Sequence, residues 1–559
     1  MDTASLDRDI ETLQANKDAW AQLPIGRRIE YLRGLLKGTE AVAHRQVQAA
    51  IAAKGIDPGS ALVGEEYFGG PVIIIRTLRL LIRTLEDIER HGSPQLPKDG
   101  LRTRNGQTAV QVFPLSTLDK LTFSGFSAEV WMEPGVTPET LPEEMAGFYR
   151  GNGGEGRVAL VLGAGNVASI GPLDMVHKLF AEGQVCLLKF NPVNDYLGPF
   201  VEESFAELIR DGFVRTAYGG ADVGAYLCQH PRIDEVHITG SDKTHDAIVF
   251  GGGAEGRERK AKNRPLNHKR ITSELGNVSP VIIVPGPWTE SDLRFHAENV
   301  ATQMANNGGF NCNAAKVIVL HEAWPQKRAF MDMLRAVLAA IPQRRAYYPG
   351  AADRYEKFVG AHPQAQPIGP RSEGVLPWTL IPDVPAAKAD DMAFTDESFC
   401  GITAQTALPG ADAREFLANA VRFCNETLWG TLNACVIVHP RTAEALGDAL
   451  DEAIGDLEYG SVGVNHWPAL SYALGSTTWG AWPGHTLDDI QSGIGVVHNT
   501  FLFDRPQKSV IRGPFRVTPK PPWFVTHKRT DKVARAMLAL ESAPGFAKVP
   551  AIAFHALLG

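Results

Sequence analysis

The sequence predicts an α/β protein with two Rossmann-like parallel-sheet domains. Three observations predict it. Short apolar runs alternate with helix-length segments from residue 157, the alternation starts again at residue 281, and 559 residues exceed what one compact core holds.

Taken in order, residues 1–95 read as helices, because apolar side chains recur three and four positions apart around Ile10 and Leu13 and around Ile29, Leu32 and Leu36. Within 71–85 the apolar run is broken by Arg76, Arg79 and Arg83, which makes it an amphipathic helix and not a membrane span. Residues 108–113 and 128–132 read as strands bounded by proline-bearing turns. The first alternation follows, with strands at 157–162, 185–190 and 236–239 and helices at 172–181 and 201–210. The second opens with a strand at 281–284, a helix at 293–306 and a strand at 316–320. Residues 251–270, glycine-rich and then basic, are expected to form a charged flexible loop. Gly251, Gly253 and Gly256 have GxGxxG spacing, but no helix is expected behind them. A proline-rich stretch after residue 505 leads to a helix at 531–540. The last apolar stretch, 549–558, is too short for a bilayer and is expected to dock on a neighbouring domain or subunit.

Composition narrows the classes. An apolar fraction of 44% and a charged fraction of 21% describe an ordinary globular protein. A net charge of -8 and a pI near 6.1 give no general attraction for nucleic acid or acidic membranes, so neither is expected as a partner. The six cysteines, at 186, 228, 312, 400, 424 and 435, lack CxxC or Cys/His ligand spacing. No metal and no disulfide scaffold are expected, and a reducing cytoplasm is the expected setting. The first residues lack the basic-then-apolar pattern of a secretory signal.

Two glycine turns carry the chemistry. Gly163-Ala164-Gly165-Asn166 follows a strand and precedes a helix, as in a dinucleotide fingerprint. The next strand, however, ends in Lys189 where that fingerprint places an acid. A conventional Rossmann dehydrogenase is therefore the second reading. The other turn, Asn306-Asn307-Gly308-Gly309-Phe310-Asn311-Cys312, holds a cysteine just ahead of a strand, where a sulfur meets little steric cover. Such a thiol acts as a nucleophile only if its thiolate is favoured; taken alone, Cys312 is equally well a small buried filler.

Together these residues resemble the aldehyde dehydrogenase superfamily over about residues 100–500. The resemblance rests on Ser273-Glu274-Leu275-Gly276-Asn277, Gly309-Phe310-Asn311-Cys312, Leu187-Leu188-Lys189, Thr239-Gly240-Ser241 and Asp396-Glu397-Ser398-Phe399. It implies NAD(P)-dependent oxidation of an aldehyde to an acid, with Cys312 as nucleophile, Asn166 and the Cys312 backbone N–H as oxyanion donors, and Glu274 as base for thioester hydrolysis. It also implies that Lys189, Gly240, Ser241, Leu275, Glu397 and Phe399 hold NAD or NADP.

For architecture, the resemblance implies a cofactor domain at 1–125 and 151–273 and a catalytic domain at 274–490. A bridging and oligomerisation element follows at 126–150 and 491–559, with an exposed strand edge near 128–132, in a homodimer or homotetramer. Pro192, His245, Phe310 and Cys400 depart from the family pattern and point to an altered cofactor grip and an apolar approach to the sulfur. Trp467, Tyr472, Trp479 and Trp482 are candidates for the substrate entry, which points to an apolar or aromatic aldehyde. The rival readings are a CoA-acylating reductase, which generally lacks the equivalent of Glu274, and an inactive structural homologue.

Overall fold

The computed structural model describes residues 2–151 and 154–559. Met1, Asn152 and Gly153 fall in segments assigned above to the cofactor domain and lie outside the described residues. The chain forms two large sheets. The smaller has six strands in the order Gly493–Ile494, Arg270–Glu274, Glu235–Thr239, Val158–Leu162, Val185–Lys189, Val214–Ala217. All its pairings are parallel except that of Gly493–Ile494. Its central strands, Glu235–Thr239, Val158–Leu162 and Val185–Lys189, are buried on both faces, as parallel strands covered by helices must be. Helices Thr3–Ala21, Ile25–Lys54 and Ile73–His91 contribute to the same core.

The larger sheet has eleven strands. Its centre is parallel, with Ser461–Val464, Asn433–Ile437, Ser279–Ile283, Ala315–His321 and Ile402–Leu408 in consecutive positions. At one end Pro506–Arg512, Ser127–Met132, Gln107–Phe113 and Leu101–Arg104 extend it.

Three expectations need correction. The strand near 128–132 is not an exposed edge, because it is paired on both sides by Gln107–Phe113 and Pro506–Arg512. The edge falls to the exposed strand Leu101–Arg104. Residues 251–270 are not a loop, since Gly253–Ala261 is a helix. Their charges are matched at helical spacing, Glu255 with Arg259 and Glu258 with Lys262, and Lys260 reaches Asp246 at 2.7 Å. The helix at 201–210 is two short ones, Gly198–Ser204 and Ala206–Arg210, interrupted at Phe205. The end of the chain does dock: helix Thr530–Ser542 packs against Val63–Tyr67 and Ile73–His91, and Val549–Leu557 packs back on it. No helix among the described residues is long and apolar enough to cross a membrane.

Candidate active site

Sheet register explains how distant residues converge. The chain leaves the smaller sheet at Glu274 and enters the larger one at Ser279, so Glu274 lies on the crossover. Ser279 pairs with Ala315, the first residue of the strand that follows the cysteine turn. The turn is thereby carried to Glu274, and the Cys312 thiol donates to Glu274 Oε1 at 3.2 Å. The backbone behind the sulfur is fixed, since Cys312 O accepts from Ser279 Oγ at 3.2 Å and from Asn433 Nδ2 at 3.3 Å.

The turn itself depends on left-handed backbone. Asn307, Gly308 and Gly309 have φ of 52°, 71° and 81°. At Gly309 a β-carbon would also lie 2.7 Å from the Cys400 carbonyl carbon, so glycine is required twice over. Gly165 has a different reason: its β-carbon would meet Asn191 and Val193 at 2.8 Å, so its smallness admits the turn after Lys189.

Asn166 does not cap the helix Ile170–Phe180; its amide donates to Phe310 O at 3.0 Å. A primary amide has a second N–H, which is free to face the site. The Asn166 carbonyl anchors a buried network that the sequence did not reveal. Lys54 Nζ reaches it at 3.0 Å, Asn307 Nδ2 at 2.9 Å and Tyr347 OH at 3.2 Å. Lys54 also pairs with Glu66 at 2.8 Å and donates to Asn307 Oδ1 at 3.0 Å. An N-terminal helix thus ties the asparagine turn to the cysteine turn. Lys54→Met leaves Glu66 buried without its partner and is expected to cost about 3–5 kcal/mol of stability. Thermal unfolding of Lys54→Met, Glu66→Gln and the double variant checks this; equal stability of all three and the wild type contradicts it.

Charge is unusual at this centre. Burial, and then the nearby Asp174, push the Glu274 carboxyl up to about 7. Burial, followed by the carboxylates of Glu274 and Glu397, holds the Cys312 thiol well above its ordinary range. Glu397 is also raised to about 7, chiefly by burial and despite the opposing charge of Lys316. Lys316 was not expected in the site. Its position in an otherwise apolar strand was the available signal, and its ammonium donates to Gly309 O at 3.3 Å and Cys400 O at 3.2 Å.

Cys312, Glu274 and Asn166 stand between two cavities and line both. The larger, about 940 Å³, is bounded by Lys189, Gly240, Ser241, Leu275, Glu397 and Phe399, which gathers every residue assigned above to the cofactor. Gly251, Gly252, Glu255 and Arg259 line it as well. A nicotinamide dinucleotide fits this cleft on three counts. Lys189 is 7% exposed, and its ammonium has no hydrogen-bond or ion-pair partner among the described residues. Glu397 Oε1 is buried and likewise without a partner among them. The first turn of helix Asp242–Phe250, capped by Ser241, opens on the cleft, where helix N–H groups attract phosphate.

The smaller cavity, about 160 Å³, is mainly apolar. Trp467 and Tyr472 line it as expected, but Trp479 and Trp482 do not. Trp479 is fully buried against Tyr472, and Trp482 lies 4.6 Å from the Lys508 ammonium. Phe310 is not on the approach to the sulfur: its ring packs with Tyr347, Tyr348 and Phe399 and lines neither cavity. His245 is buried beneath the Ser241 turn and also lines neither. Among the described residues no cluster of His, Cys, Asp or Glu is suited to a metal.

The fold and site define an α/β protein with a thiol–carboxylate pair set between a dinucleotide-sized cleft and an apolar cavity. Residues 166–349 match the model of the aldehyde dehydrogenase family. That segment is similar to aldehyde dehydrogenases in sequence, and the chain shares their fold. It is 30% identical over 148 residues to 4-trimethylaminobutyraldehyde dehydrogenase A of Danio rerio, 26% of each chain. A structure of the substrate-bound state of Staphylococcus aureus AldH superposes with a TM-score of 0.60 at 15% identity, covering 92% of this chain and 95% of that one. Glyceraldehyde-3-phosphate dehydrogenase GapN of Methanocaldococcus jannaschii, complexed with NADP, gives 0.59 at 14% identity over 91% and 94%. The fold is shared along nearly the whole chain, whereas the match to the Danio rerio relative spans about a quarter of that protein's length.

Proposed function

We propose that this protein oxidises an aldehyde to a carboxylic acid with NAD or NADP, through a thioester on Cys312 that Glu274 helps to hydrolyse. The observation that carries the reading is the 3.2 Å contact between thiol and carboxyl at the junction of the two cavities. It is supported by the family match over the segment that contains Asn166, Glu274 and Cys312. Residues 1–125 and 151–273 would then form the cofactor domain and 274–490 the catalytic one, in a homodimer or homotetramer of the cytoplasm.

The steps follow from the residues. Glu274 takes the thiol proton as Cys312 Sγ bonds to the aldehyde carbon; a carboxyl near 7 exchanges that proton at small cost. The resulting oxyanion accepts from the second Asn166 N–H and the Cys312 backbone N–H. Lys189, Ser241, Leu275, Glu397 and Phe399 would hold the dinucleotide, whose nicotinamide ring supplies the hydride acceptor for the substrate carbon. The oxyanion then reforms a carbonyl, now as the Cys312 thioester. Glu274, having released its proton, takes one from water as the water oxygen bonds to the thioester carbon. Departure of sulfur gives the acid, and the thiolate regains a proton from Glu274 to restore the thiol.

Asn166→Ala is expected to lower kcat about 10²–10³-fold, the usual weight of one oxyanion donor. Turnover within a factor of about two of wild type would remove it from that role. The reading itself is tested by assaying aliphatic and aromatic aldehydes with NAD and with NADP, with and without CoA. Acid formation without CoA supports hydrolysis. Reduced cofactor that appears only with CoA overturns the second half of the mechanism.

A further inference from the structure

The wall of the smaller cavity does not come from the catalytic domain alone. Trp523, Thr530, Met537 and Glu541, all from the end of the chain, line it together with Cys312. They are firmly placed. Helix Thr530–Ser542 presents a buried stripe of Val533, Ala534, Met537, Leu540 and Glu541, the spacing of one helix face. Its start lies so close to the helix Val63–Tyr67 that a β-carbon at Gly64 would come within 2.5 Å of the Thr530 carbonyl carbon. The segment before it is held by Val525 N–H to Thr302 Oγ1 at 3.0 Å and Lys520 to Glu298 at 2.8 Å. Both partners are on the helix Glu290–Ala305, which leads into the cysteine turn.

The charged groups on this wall are neutralised. Arg76 donates to Glu541 at 2.8 Å, to Asp119 at 3.2 Å and to Leu474 O at 2.8 Å, and Arg79 also pairs with Glu541. Glu65 pairs with Arg344 at 2.9 Å and accepts from the Asn307 N–H at 3.1 Å, which leaves Glu274, beside the sulfur, as the acid of the lining without a cation. A carboxylate on a substrate would therefore be desolvated without a counter-charge, and an ammonium would meet only the Glu274 carboxyl that the chemistry uses. Most of the remaining lining is apolar, with Phe68, Val72, Phe123, Trp467 and Leu470, and the asparagines of the two turns, Asn166, Asn306, Asn311 and Asn313, stand at the end nearest the sulfur. A volume of 160 Å³ is close to that of an apolar cavity that takes one benzene ring, about 150 Å³.

We infer that the C-terminal segment 523–541 is the specificity wall of the substrate cavity, and that it selects uncharged aldehydes whose side chain is no larger than a single aromatic ring. This rests on the aldehyde-oxidising reading above. Met537 is the limiting side chain; Arg76 and Glu541 exclude charge by holding each other.

The test compares kcat/KM for acetaldehyde, benzaldehyde, 2-naphthaldehyde and succinic semialdehyde in the wild type, Met537→Ala and Met537→Trp. Wild type is expected to favour benzaldehyde at least about ten-fold over the two-ring and the carboxylate substrates. Met537→Ala should raise the naphthaldehyde to benzaldehyde ratio about ten-fold, and Met537→Trp should lower the benzaldehyde to acetaldehyde ratio by as much. Opposite shifts are not what general structural damage gives. Identical ratios in all three proteins, or a preference for succinic semialdehyde, overturn the inference. Trp523→Phe serves as the second variant of the same wall if a Met537 variant does not fold. Labelling of Cys312 by methyl, benzyl and naphthylmethyl methanethiosulfonate, followed by mass spectrometry, separates the two readings. If no aldehyde is oxidised but the Met537 variants still change the order of labelling, the oxidation reading falls and the wall stands. If labelling order is the same in all variants, the wall falls.

Discussion

Replacing Cys312 by alanine should abolish NAD(P)-linked aldehyde oxidation, a loss on the order of 10⁴-fold or more, as expected when the atom that carries the covalent intermediate is removed. No other thiol lines both cavities. Cys186, Cys228, Cys400, Cys424 and Cys435 are buried, which pushes their thiols up, and of these Cys228 lines the larger cavity and none lines the smaller. Cys312 is the cysteine that is only partly buried. The variant should retain the wild-type melting temperature within a few degrees, because the sulfur lies at a cavity junction and leaves no closed void. Reduced-cofactor absorbance measures the first expectation and thermal unfolding the second. Residual turnover above about one part in a hundred would assign the chemistry elsewhere.

Glu274→Gln should separate the two halves of the reaction. The amide still accepts a hydrogen bond from Cys312 but cannot take a proton from water. One equivalent of reduced cofactor should appear per site, more slowly than in wild type because the thiol has lost its base, and turnover should then stall, with an acyl group on Cys312 detectable by intact mass. Steady turnover without a burst would contradict the role.

The same substitution carries a stability consequence of defined sign. The carboxyl is raised from 4.5 to about 7 in the folded chain, so between those values the unfolded chain has released a proton that the folded chain retains. Wild-type stability therefore falls as pH rises from 4.5 through 7 and levels off above it. A displacement of this size is worth about 3 kcal/mol. Glu274→Gln removes the penalty. Its melting temperature relative to wild type should be higher at pH 8 than at pH 5, and an equal difference at the two pH values would show that the carboxyl is not held neutral.

How much of this was legible in the sequence is best seen residue by residue. Parallel strands buried on both faces appear as continuous apolar runs, so Val158–Leu162, Val185–Lys189, Ser279–Ile283 and Ala315–His321 could be read within a residue or two. The strands at 433–437, 461–464 and 506–512 were not read: their pairing partners lie far along the chain, and short strands carry little periodic signal. The helix Gly253–Ala261 is hidden by its glycines and its run of basic residues, which read as a loop; at four-residue spacing its charges form intrahelical pairs.

The sequence by itself determined the α/β class and the two series of parallel strands, because apolar periodicity is a local property of a chain; Asn166, Glu274 and Cys312 were singled out by the resemblance of their motifs, and their roles are the proposal above. Only the tertiary structure decided that a lysine at position 54 anchors the asparagine turn, that Phe310 faces the core, and that the last fifty residues return to wall the cavity beside Cys312. Such contacts join residues up to several hundred positions apart. Their partners are set by sheet register and helix packing, which no local pattern encodes.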